Sequence, residues 1–133
     1  MGRVHFGGAP DPHNCYLLER GMRTLHARMP ILTSNSAELA RRLQDHPKVV
    51  RVQHVTLPSH SEYEIAQRVV PKGCGMLGIV VDGGDEGAMQ FMSKLKLFYE
   101  ATSLGGVESL IEVPATSSHM AMPVDVRIAA GIE

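Results

Sequence analysis

The sequence predicts an α+β domain with helices packed on a small sheet, and three features carry that prediction. Residues 25–43 place apolar side chains every three or four positions, the period of a helix with one covered face. Residues 48–57 and 76–81 are short runs rich in β-branched residues, the composition of strands. Helix-like and strand-like stretches then alternate along the chain, as they do when helices cover a sheet.

The elements follow in order. Residues 1–13 are rich in Gly and Pro and read as an irregular lead-in. Asp11-Pro12-His13-Asn14 is a helix start, because an Asp or Asn side chain accepts from the free N–H groups of a first turn. A short helix from about Pro12 to Arg20 is expected to end at Gly21, which tolerates a left-handed backbone. Leu25, Met29, Leu32, Ser36, Leu39 and Leu43 mark the face of the next helix, with Ala40 beside them. Pro30 is expected to kink or divide it, since proline donates no backbone bond, and His46-Pro47 closes it.

Lys48–Leu57 reads as the first strand, Pro58–His60 as a turn, and Ser61–Val69 as a short helix capped by Ser61. Lys72–Gly75 turns the chain into a second, more buried strand at Met76–Val81. Asp82-Gly-Gly-Asp85 turns again, and Asp85 is expected to cap a helix over Glu86–Glu100 with Met89, Met92, Leu95 and Tyr99 on one face. A third strand is expected at Ser109–Val113, with a further short one before Gly105.

Bulk properties narrow the function. A chain of 133 residues with 44% hydrophobic content suits one globular domain. Its net charge of −1 offers no basic footprint for nucleic acid or an acidic membrane face. The Arg41-Arg42 pair reads as part of a solvated helix face. No apolar stretch nears the ~18 residues of a membrane helix, and no signal pattern opens the chain. Cys15 and Cys74 form no CxxC and are too sparse for a disulfide scaffold, so a reducing, cytoplasmic setting is expected. The seven histidines lie apart, without HxH or HxxxH, so no metal site is expected.

Chemistry is hard to find by residue type alone. Gly73-Cys-Gly75 and Asp82-Gly-Gly84 match no phosphate-binding loop in the required strand–loop–helix setting and read as turns. Ser103, Ser109 and Ser117 lack a GxSxG elbow, and His119 reads as a capping or supporting histidine. The methionines at helical spacing read as core.

Ala101-Thr-Ser-Leu-Gly-Gly-Val-Glu-Ser-Leu-Ile-Glu-Val-Pro-Ala-Thr-Ser-Ser-His119 is the most distinctive stretch. It resembles a signature of the Cys/Met-metabolism enzymes that use pyridoxal phosphate (PLP), the cystathionine γ-synthase, γ-lyase and methionine γ-lyase type. Asp11–Leu25 is similar to another segment of that family. So, in the family's order, are Arg28-Met29, Asn35, His46-Pro47 with Val49 and Val52, Leu57-Pro-Ser-His60, Gly73 to Leu77, Arg127 and Gly131-Ile132. The likeness spans nearly the whole chain. Pro30, and Gly78-Ile79 where the family has Ser-Phe, depart from it.

The resemblance implies the small C-terminal domain of a fold-type I PLP-dependent transferase over residues 14–133. That domain closes the substrate site of an enzyme of methionine and cysteine metabolism, commonly a homotetramer. The chemistry implied is γ- or β-replacement or elimination on a sulfur amino acid or an activated homoserine. Ser103 matches the serine whose loop helps hold the substrate's carboxylate, and Thr102 and Leu104 fall beside it at the pocket. A glutamate is frequent at the position of Thr102 in cystathionine-handling members. No catalytic or cofactor-binding residue carries over: Lys48, Lys72, Lys94 and Lys96 are the only lysines, and none has the family's Ser-x-Thr-Lys context. Arg127-Ile-Ala-Ala-Gly-Ile-Glu133 fits an earlier arginine of the family better than the substrate arginine, so the chain is expected to stop before the latter and to be inactive alone. The implied partners are an N-terminal PLP-binding domain or a full-length homologue. The alternative is a non-catalytic pseudoenzyme or partner-binding module that associates with such a homologue.

Overall fold

The computed structural model describes residues 7–132. Its elements are α1 (Pro12–Met22), α2 (Leu25–Gln44), β1 (Val49–Gln53), α3 (Tyr63–Val69), β2 (Gly78–Val81), α4 (Gly84–Ser93), β3 (Phe98–Glu100), β4 (Ser109–Ile111) and α5 (Val124–Ala129), with a 3-10 turn at Pro114–Thr116. The alternation of helices and strands is the expected α+β one. The strands form two separate ladders rather than one sheet: β1 with β2 antiparallel, β3 with β4 parallel.

Among the described residues α1 is the one helix whose start is capped by a side chain. Asp11 caps α1 as expected, its carboxylate accepting from the N–H groups of His13 at 2.9 Å and Asn14 at 3.1 Å. Residues 7–11 of the lead-in carry no regular structure, and residues 1–6 lie outside the described residues. The helix runs through Gly21 to Met22 rather than stopping there. Pro30 does not divide α2. It stands in the second turn, where it forfeits one backbone bond, while packing further along the helix holds the rest. Arg41 and Arg42 lie on an exposed face, bonded to Glu38 at 2.9 and 2.7 Å. Those bonds, Arg41's foremost, lower the Glu38 carboxyl from 4.5 to about 2.

Three further expectations, all at α3 and α4, need correction. The cap of α3 is Glu62, not Ser61, and no side chain bonds to its first turn. The cap of α4 is Gly83 rather than Asp85, because Gly83 (φ +92°) and Gly84 (φ +60°) reverse the chain within two residues. Asp85 and Glu86 instead lie in the first turn, where the helix dipole favours acidic groups. α4 also ends at Ser93, so Leu95 and Tyr99 leave the helical face, and Phe98–Glu100 pairs as a strand with Ser109–Ile111.

The core is small. Ala40 of α2, Val52 of β1 and Leu57 are buried together, with Leu43, Val49, Leu77 and Ile79 packed against them. α2 turns Thr33, Ser36 and Ala40 inward, while Leu25, Met29, Leu32 and Leu39 of the expected face remain exposed. No residue of α1 is buried, and its Tyr16, Leu17, Leu18 and Met22 are exposed.

β1 ends earlier than expected because His54 turns inward. At 1% exposure it is the most deeply buried large side chain among the described residues. Its Nε2 stands 3.2 Å from both Ser36 Oγ and the Cys74 carbonyl, and its Nδ1 lies 2.7 Å from Thr56 Oγ1. A carbonyl only accepts, so Nε2 carries the proton and Nδ1 accepts, including from the Thr56 N–H at 3.3 Å. One ring thus ties α2, the end of β1 and the turn before β2. Gly73 (φ +76°) lets that turn approach: a Cβ there would stand 2.7 Å from Thr56 Cγ2 and 3.2 Å from His54 Cε1.

Candidate functional site

The parallel pairing of β3 with β4 sets the geometry of the distinctive stretch. Phe98 stands opposite Ser109, Tyr99 opposite Leu110, and Glu100 opposite Ile111. The Ala101 N–H then donates to the Ile111 carbonyl at 3.2 Å, closing the ladder's last rung. Both strands therefore end at one edge. Thr102 and Ser103 leave β3 there, beside Glu112 leaving β4.

Thr102, Ser103 and Leu104 come together on an exposed loop, with Leu104 76% exposed. Among the described residues neither Thr102 nor Ser103 has a hydrogen-bond partner for its hydroxyl, so both can turn to a ligand. Gly105 (φ +84°) makes the reversal that a Cβ would strain. Free hydroxyl and backbone donors on a glycine turn suit an anion.

A second cluster, missed by the motif reading, stands at the same edge. The 3-10 turn at Pro114–Thr116 folds the chain back so that Glu112 accepts from Ser117 Oγ at 2.6 Å and Ser118 Oγ at 3.0 Å. Ser118 Oγ lies 2.8 Å from His119 Nδ1, so His119 supports this cluster rather than standing alone. The Ser117 hydroxyl above all, with smaller help from Ser118, holds the Glu112 carboxyl below its ordinary value of 4.5, outweighing burial. A depressed carboxyl stabilises the fold above its unfolded-state value and loses that contribution as pH falls through the folded-state value. The stability difference between the native chain and Glu112→Gln, read from urea unfolding, is therefore expected to be largest at neutral pH and to shrink in acid below 4.5. Arg127 of α5 braces the cluster from behind, donating from Nη1 to the Ala115 carbonyl at 3.3 Å.

Two hollows of the surface lie elsewhere. One of about 490 Å³ runs along β1, from Gln44 past Arg51 to His60. Another of about 440 Å³ is lined by Gly84, Asp85, Arg127 and Ile128. Neither includes Thr102, Ser103 or Leu104, nor any lysine. The loop is an open edge and needs a second surface to enclose a ligand. No helix of the described residues is long and apolar enough to cross a membrane.

Comparison with known proteins places this geometry. The family model described as Cys/Met metabolism PLP-dependent enzyme matches residues 2–133. Cystathionine γ-lyase of Dictyostelium discoideum is 41% identical over 126 residues, covering 95% of this chain and 33% of that protein. The chloroplastic cystathionine γ-synthase 1 of Arabidopsis thaliana is 39% identical over 127 residues, covering 96% and 23%. The crystal structure of cystathionine γ-lyase from Lactobacillus plantarum complexed with L-serine superposes with a TM-score of 0.87 at 31% identity, over 97% of this chain and 34% of that one. The chain spans about a third of the length of the first curated relatives it matches.

Proposed function

The chain belongs to the Cys/Met metabolism PLP-dependent enzymes, and from that membership we propose that residues 14–133 are the small C-terminal domain that closes the substrate site of a transsulfuration-type enzyme. The substrate class is a sulfur amino acid or an activated homoserine, transformed by γ- or β-replacement or elimination. The observation that carries this reading is the glycine-turned loop with its unpartnered Thr102 and Ser103 hydroxyls at the shared end of two parallel strands. Ligands of parallel strands characteristically sit beyond their carboxyl ends. Ser103 donates to the substrate's carboxylate, Gly105-Gly106 let the backbone N–H groups approach it, and Thr102 and Leu104 face the rest of the amino acid.

PLP supplies the electron sink for the carbanion when bound to the complete enzyme. The described lysines do not fit the role of holding it. Lys48, Lys72, Lys94 and Lys96 are all exposed and line neither hollow, whereas a cofactor-holding lysine needs an enclosed pocket. No step of the reaction is assigned to this chain beyond binding and enclosing the substrate. The exposed apolar faces of α1 and α2 fit contact with a PLP-binding domain. They equally fit the second reading, a non-catalytic module seated on a full-length homologue. The complete enzyme is proposed to be a cytoplasmic homo-oligomer, in keeping with a sequence whose two cysteines are too sparse for a disulfide scaffold.

Borohydride reduction of the chain in excess PLP tests the reading. Only substoichiometric adducts scattered over the exposed lysines are expected, without turnover of cystathionine or homoserine esters. A stoichiometric adduct on one lysine, together with turnover, would overturn it.

A further inference from the structure

The clasp around Glu112 has a proton arrangement that its geometry dictates. An ionised carboxylate can only accept, so the single hydroxyl proton of Ser118 points to Glu112 Oε1, 3.0 Å away. Ser118 Oγ then has only a lone pair to offer its other neighbour. His119 Nδ1, at 2.8 Å, must therefore be the donor in that contact. The His119 ring carries its proton on Nδ1, and its orientation is set by a charge two bonds away. Ser117 Oγ lies 2.6 Å from the same carboxylate and 2.7 Å from the Val113 carbonyl, so its one proton serves two acceptors, and the His119 N–H closes the turn onto the Pro114 carbonyl at 2.9 Å.

This clasp matters because little else holds the loop's origin. β3 and β4 have three residues each, and a ladder of two strands is marginal by itself. The rung that fixes where Thr102 and Ser103 depart is Ala101 N–H to the Ile111 carbonyl, and Ile111 is bonded directly to Glu112. Holding Glu112 still holds that rung still.

We propose that Glu112 is a positioning residue for the substrate loop, acting through Ser118 and the turn ending at His119 to fix the strand edge from which Ser103 reaches the substrate's carboxylate. The inference rests on the reading of Ser103 given above. A hydrogen-bonded group that fixes a binding residue contributes to ground-state and transition-state binding alike, so its loss raises KM more than it lowers kcat.

The test has two arms. In the 15N-labelled chain, long-range spectra of the His119 ring should show the proton on Nδ1. In Glu112→Ala the Ser118 hydroxyl is free to donate into Nδ1 as well as to accept from it, so the share of the ring with its proton on Nε2 should rise. In the complete enzyme, Glu112→Ala is expected to raise KM for the amino-acid substrate about tenfold, with kcat changed less than about twofold. Ser118→Ala, which removes only the link between the carboxylate and the ring, should do the same and serves if Glu112→Ala folds poorly. Combined with Ser103→Ala, the effect should fall well short of the product of the single effects, because both variants act on one contact. A merely structural role would reduce the yield of folded enzyme and leave the KM of the remainder unchanged. If Ser103→Ala raises KM while Glu112→Ala and Ser118→Ala leave it unchanged, the positioning role is refuted and the carboxylate reading survives. If Ser103→Ala also leaves KM unchanged, both fall together.

Discussion

Replacing His54 with alanine is expected to lower the unfolding free energy of the chain by about 3 kcal/mol, a large share of what a domain of this size has to lose. The ring is 1% exposed and surrounded by α2, the end of β1 and the turn at residues 72–75. Its removal opens a cavity that the small core cannot refill, since the nearby buried residues of α2 are Thr33, Ser36 and Ala40. It also strands polar groups: the Thr56 N–H loses its acceptor at Nδ1, and the Cys74 carbonyl loses one of its two donors. Cavity and orphaned-donor terms each reach about 1–3 kcal/mol at buried sites, and both act here. Urea unfolding of the native and variant chains measures the difference directly. A loss below about 1 kcal/mol would mean that the ring is not the fastener described.

The second large effect is on binding. In the complete enzyme, Ser103→Ala is expected to raise KM for the amino-acid substrate roughly 10- to 100-fold, with a much smaller change in kcat. A neutral hydroxyl bonded to a carboxylate contributes about 1.5–3 kcal/mol when the partner would otherwise be left short of a donor, which is that range in binding. Thr102→Ala is expected to do less to a carboxylate and more to substrate choice, because Thr102 stands one residue nearer the strand. Steady-state kinetics of both variants with cystathionine and with a homoserine ester separate the two roles. Equal and small effects from both would remove the loop from substrate binding.

The parts of this fold legible in the sequence are those governed by neighbours in the chain. The Asp11 cap, the helical period of 25–43 and the β-branched strands each follow from local sterics and hydrogen bonding. The caps expected at Ser61 and Asp85 failed locally, and the larger failure was governed at a distance. Met89, Met92, Leu95 and Tyr99 keep a helical period, yet Tyr99 is drawn into a ladder by Leu110. Nothing near Tyr99 in the sequence announces that partner.

The apolar face of α2 teaches a related lesson. Its period reveals that Leu25, Met29, Leu32 and Leu39 are to be covered, but not by what. They remain exposed because the described residues do not provide the cover.

The candidate site was half legible. Thr102, Ser103 and Leu104 could be named because the motif is contiguous, and they do share one loop. Glu112, Ser117 and Ser118 stand five and six positions apart, a spacing belonging to neither helix nor strand. Only the 3-10 turn begun by Pro114 brings them together, and that proline was the one available signal.

The most direct measurement is a structure of the complete enzyme with PLP and a bound amino-acid substrate. The expected result has the substrate carboxylate within hydrogen-bonding distance of Ser103 Oγ and the backbone N–H groups of its loop, and the cofactor on a lysine outside residues 7–132. A carboxylate held away from this loop, or a cofactor joined to Lys48, Lys72, Lys94 or Lys96, would contradict it.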